Sequence, residues 1–73
     1  MDQNIYYIFQ SEEGQNIFEY ISQAPPPDIG ENVRLRDHRD LAHVKATDFE
    51  VIDVEEFPEV DRLLVIVTVE PLE

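Results

Sequence analysis

Arg62-Leu63-Leu64-Val65-Ile66-Val67-Thr68-Val69 is the stretch that decides the fold. Its β-branched run is stiff at the first side-chain torsion and suits a pleated strand better than a helix. Leu63, Val65, Val67 and Val69 lie on one face of that strand, and Leu64 and Ile66 on the other. A strand apolar on both faces is expected to be central and covered on both sides. Pro71 is expected to end it.

Working back from it, Pro58-Glu59-Val60-Asp61 reads as a turn and Thr47 to Phe57 as the preceding strand. The alternation in that strand slips once. Phe49 and Val51 are two apart, while Val51 and Val54 are three apart. A β-bulge near Ile52-Asp53 would return all three to one face. Upstream, Asp37 to Ala46 has mixed charge and weak periodicity and reads as a loop, with one helical turn at Asp40-Leu41-Ala42-His43. Asn32-Val33-Arg34-Leu35-Arg36 alternates as a half-buried strand does, and Ile29-Gly30-Glu31 turns into it. Pro25-Pro26-Pro27 donates no amide hydrogens and is expected to run as extended chain on the surface. Near the start, Ile5 to Gln10 and Asn16 to Ser22 read as a hairpin around the turn Ser11-Glu12-Glu13-Gly14. There is no internal repeat, heptad or low-complexity tract.

The reading is thus one all-β domain spanning residues 1–73, with about five short antiparallel strands. So small a chain buries only about 60% of its unfolded surface, and a short sheet must protect its edges. A small barrel or strongly bent sheet is the economical solution. Pro27, Ile29, Gly30, Glu31, Val33 and Leu35, then Phe49, Val51 and Val54, then Val65, Val67 and Val69, form a pattern that resembles small SH3-like β-barrel proteins of bacteria and phages. The resemblance covers roughly residues 27 to 70 and implies a fold, not an activity. The loops lack the Trp-bearing aromatic cluster with which SH3 domains hold proline-rich peptides.

The chain carries 17 acids against 5 Lys and Arg, a formal net charge of −12. Such a charge repels nucleic acid and anionic membrane, and speeds encounter with basic surfaces. No apolar run approaches the ~20 residues of a membrane span. The absence of cysteine excludes a disulfide scaffold and a thiolate metal site. With no basic lead after Met1, these features set an expectation of a cytoplasmic protein.

Little in the chain suits catalysis. Ser11 and Ser22 lie near turns without a glycine-flanked elbow. Gly14 and Gly30 are the only glycines, so no loop can cradle phosphate. Asp37, His38, Asp40 and His43 fall within seven residues, but their spacing matches no metal motif, and a solvated polar loop is the plainer reading. No enzyme activity, cofactor or metal is expected.

One feature stands out from the general acidity. Asp48, Glu50, Asp53, Glu55, Glu56, Glu59 and Asp61 lie in one stretch that contains no base. Alternation puts Asp48 and Glu50 outward, and Asp53 and Glu55 outward again after the bulge. Carboxylates two residues apart on a strand stand ~6.6–6.8 Å apart, against one charge per ~1.7 Å of axis in duplex DNA. The row is therefore sparser than DNA unless Glu12, Glu13 and Glu19 share its face. Its expected partner is a basic protein surface, one that itself binds nucleic acid, with Phe57 and either Tyr6 or Tyr20 as apolar anchors. The acidity resembles that of phage-encoded nucleic-acid mimics. That resemblance implies an inhibitor of anti-CRISPR or anti-restriction type, acting in a bacterial or phage-infected cell. The alternative is a self-associating scaffold domain whose acids serve only solubility, with Ile5 to Phe9 pairing with a second copy as a homodimer.

Overall fold

The computed structural model describes residues 4–36 and 47–72. Within them the chain forms five strands and no helix: β1 (Ile5–Gln10), β2 (Asn16–Ser22), β3 (Asn32–Leu35), β4 (Thr47–Pro58) and β5 (Leu63–Pro71). The expected loop at Asp37–Ala46, including the group Asp37, His38, Asp40 and His43, lies outside the described residues.

The strands make a single sheet in the order β2-β1-β5-β4-β3, strongly curled into a half-barrel. The all-β expectation holds, but the expectation of purely antiparallel pairing does not. β1 pairs with β5 in parallel, and the other three pairs are antiparallel. The reason is topological. Each strand reverses the direction of the one before it, so four reversals return β5 to the direction of β1. Once the two become neighbours, they must run parallel.

The expected bulge is present. Val51 pairs with Val69 and Asp53 with Thr68, which leaves Ile52 as the extra residue. Phe49 and Val51 are buried, and Val54 packs partly buried against the same core. A matching irregularity lies in the hairpin. Phe9 pairs with Phe18 and Gln10 with Asn16, so Ile17 is extra there, and it is fully buried. The hairpin turn closes with the Gly14 amide donating to the Ser11 carbonyl at 2.9 Å. Gly14 has φ of 86°, a region glycine enters without steric penalty. Two prolines sit inside strand ends rather than beyond them. Pro58 ends β4 opposite Leu63, and Pro71 ends β5 opposite Phe49.

Residues 23–31 carry the chain from one sheet edge, β2, to the other, β3. The segment is tied at both ends. The Tyr7 hydroxyl donates a hydrogen bond to the Ala24 carbonyl. At the far end the Glu31 amide donates to the Asp28 carbonyl at 3.0 Å around Gly30, whose φ is 93°. The Gly30 amide then donates to the Val51 carbonyl at 2.7 Å, and the Val51 amide to the Glu31 carbonyl at 2.9 Å. The three prolines between the ties have no amide to leave unpaired.

The core fills the concave side. Tyr7, Phe9, Ile17, Leu35, Phe49, Val51, Val65, Val67 and Val69 are buried there, with Ile5, Phe18, Val33, Val54 and Leu63 packed around them. Tyr20 stacks on both Tyr7 and Phe9, with ring centroids at 5.4 and 5.8 Å. β5 is central, as its sequence requires. The expectation that it is covered on both faces fails: Leu64, Ile66 and Thr68 are only half-buried, because no second layer of described residues lies over that side.

Candidate protein-binding face

The register fixes what the convex side displays. Outward residues line up across the strands in rows, each step crossing one strand spacing of ~4.8 Å. The first row is Ile21, Tyr6, Leu64 and Phe57. The next along the strands is Glu19, Ile8, Ile66 and Glu55, and then Asn16, Gln10, Thr68 and Asp53. Gln10 and Thr68 hydrogen-bond at 3.2 Å, Nε2 to Oγ1. Beyond them Glu70 pairs with Glu50, and Glu50 with Asn32. The face thus grades from apolar at one end, through a polar middle, to acidic at the other.

The expected acidic stretch is divided by this register. Glu50, Asp53 and Glu55 share the convex face, and Glu19 joins them from β2. Glu56 does not: it pairs with Val65 and lies on the concave side. There it lines a groove of about 470 Å³ with Pro26, Pro27, Asp28, Ile29 and Val54. Asp48 pairs with Arg34 across the β3–β4 ladder and accepts a hydrogen bond from its Nε at 2.9 Å. That contact holds the Asp48 carboxyl below its usual range. Glu59 accepts a hydrogen bond from Arg62 Nε at 2.7 Å. Two of the seven acids are therefore neutralised by bases from outside the stretch, which counting along the sequence does not reveal. Asp61 and Glu59 are exposed in the turn between β4 and β5.

The apolar anchors are also sorted. Phe57 and Tyr6 fall in the same convex row, on either side of Leu64. Tyr20 lies on the concave side, stacked on the core rings yet 41% exposed. Arg62 extends over the Tyr6 ring, its guanidinium carbon 4.8 Å from the centroid. Phe57 is 42% exposed and Ile21 62%.

No protein-family model, curated protein or solved structure matches this chain.

Electrostatics follow the same division. Glu70 is pushed above its ordinary carboxyl range, first by desolvation, then by the hydrogen bond its protonated form can share with Glu12 and by the charges of Glu12 and Glu50. Like charges thus crowd the acidic end of the convex face. Burial raises the Tyr7 hydroxyl, with Tyr20 and Glu56 adding to the shift. Among the described residues no three His, Cys, Asp or Glu side chains converge as metal ligands. No helix among them is long and apolar enough to cross a membrane.

β1 is paired on both sides, with β2 and with β5. Its backbone hydrogen-bonding groups are thus used within the sheet. Sequence reasoning missed the apolar row and the Glu12–Glu70 contact. The signal for the row was present in the two-faced apolarity of β5. The Glu12–Glu70 contact depends on a turn and a strand 58 residues apart, which no local pattern reports.

Proposed function

We propose that this chain is a non-catalytic, acidic protein-binding module that occupies the basic, nucleic-acid-binding surface of another protein and so blocks it. The observation that carries the reading is the sharing of one convex face by Glu50, Asp53 and Glu55 of β4 with Glu19 of β2. A sheet holds these carboxylates at fixed spacing, so a partner's Lys and Arg meet them without further ordering cost. Competition is electrostatic and steric, and needs no bond chemistry. Charge of this kind raises the association rate more than the affinity, and makes both fall with salt.

The experiment has two stages. The immobilised chain captures proteins from the native host, and each captured protein is purified and bound to a labelled duplex or single strand. Addition of this chain is expected to displace the nucleic acid. Glu50→Lys, Asp53→Lys and Glu55→Lys together are expected to abolish displacement. Equal displacement by that triple variant would overturn the reading. The scaffold reading gains its own support only from a salt-insensitive dimer in sedimentation.

A further inference from the structure

The rows of the convex face carry the reading further than charge does. A sheet with one solvated face ordinarily presents polar side chains there. Here Ile21, Tyr6, Leu64 and Phe57 cross four strands in a line of about 14 Å, three strand spacings. Ile8 and Ile66 stand directly behind its centre. Contiguous apolar surface with a polar rim marks a contact region. Aromatic side chains at the centre of such a region supply most of the binding energy.

Resting on the reading proposed above, we infer that this six-residue stripe is the energetic centre of the interface. Its occupant is a protein segment that presents apolar side chains framed by Lys and Arg. Charge complementarity selects that occupant. Glu19 and Glu55 close the two ends of the Ile8–Ile66 row, and Asp53 lies beyond. A second copy laid on the stripe would set these carboxylates against their own kind, with −12 on each chain. An anionic lipid surface would meet the same repulsion. Arg62, seated over Tyr6 and hydrogen-bonded to Glu59, shows the geometry a guanidinium takes against a ring of this row.

The test uses two synthetic helical peptides of equal positive charge. One carries a Leu stripe framed by Lys. In the other every Leu is replaced by Gln. Binding to the full chain is read by fluorescence anisotropy at low and at physiological salt, below the concentration at which either peptide self-associates. The Leu–Lys peptide is expected to bind at least about tenfold tighter than the polar one, the smaller part of what two buried apolar side chains contribute. Ile21→Ser with Phe57→Ser is expected to erase that advantage and leave the polar peptide's affinity unchanged. Ile29→Ser, exposed beside the groove on the concave side, is expected to change neither. Equal binding of both peptides would overturn the stripe as the centre while leaving the acidic-module reading in place. Failure of both to bind at low salt would overturn that reading itself, and the stripe with it. A dimer of the wild-type chain that Ile21→Ser with Phe57→Ser dissolves would assign the stripe to a second copy, and would overturn the inference.

Discussion

Phe49 and Phe57 lie eight residues apart in β4 and face opposite sides of the sheet. That makes them a direct test of which face is the core. Phe49 is 1% exposed and packs against the valines of β5. Truncation to Ala removes a fully buried ring and leaves a cavity, a change that costs about 3–5 kcal/mol. Phe57 is 42% exposed on the convex face, so 100 − 42 = 58% of it is shielded. Scaling a full burial of ~1.5–3 kcal/mol by that fraction gives roughly 1–2 kcal/mol, with no cavity because the face is open. A 73-residue domain has a total stability of about 4–11 kcal/mol, at 0.05–0.15 per residue. Phe49→Ala is therefore expected to remove about a quarter of it or more, and Phe57→Ala much less. The assay is urea unfolding followed by far-ultraviolet circular dichroism, with the two midpoints compared at equal slope. Equal losses for the two variants would refute the assignment of faces, because they would require Phe57 to sit in a covered core.

Other expectations follow from single contacts. Glu70 binds its proton more tightly in the fold than in the unfolded chain, so its favourable contribution is present below its ordinary value of 4.5 and is lost as pH rises through the raised folded value. Glu70→Gln is accordingly expected to raise Tm at pH 7, with the gain vanishing toward about pH 4 in thermal scans; a gain independent of pH would contradict the Glu12–Glu70 crowding. Gly30→Ala meets open space but must hold φ at 93°, which costs about 1–2 kcal/mol by denaturant titration; no change would mean that the turn relaxes freely. Tyr7→Phe removes the tie to Ala24 and is expected to cost about 0.5–1.5 kcal/mol. It should also speed amide exchange at Gly30 and Glu31, and unchanged exchange there would show that the Val51 hydrogen bonds alone fix the segment.

Much of the fold was legible because its cues are local. The β-branched run at 65–69, the alternation in 32–35 and the turn chemistry of Gly14 and Gly30 each report on a few residues. The bulge at Ile52 was readable for the same reason, as a slip of one in a two-residue period. The parallel pairing of β1 with β5 was not, because it arises from which strands become neighbours after four reversals. The candidate face was legible in half. Alternation placed Glu50, Asp53 and Glu55 on the outward face, and carried one residue further it also turns Glu56 to the Val54 side, yet it could not report that Arg34 reaches Asp48 or that Arg62 reaches Glu59. The first depends on the β3–β4 register, and the second on how the turn between β4 and β5 folds back. The two-faced apolarity of β5 was read as a sign of double coverage. It is instead the source of the half-buried middle of the convex stripe.

The central claim is that a basic partner docks on the convex face, and side-chain methyl resonances test it most directly, since one strand carries reporters for both faces. In β5 the methyls of Leu64 and Ile66 point outward and those of Val65, Val67 and Val69 into the core. Titration with the Leu–Lys peptide is expected to shift Leu64 and Ile66, together with Ile8 and Ile21, while Val65, Val67 and Val69 stay within a small fraction of that change. Largest shifts at Val54 and Ile29, around the proline-lined groove of the concave side, would contradict it.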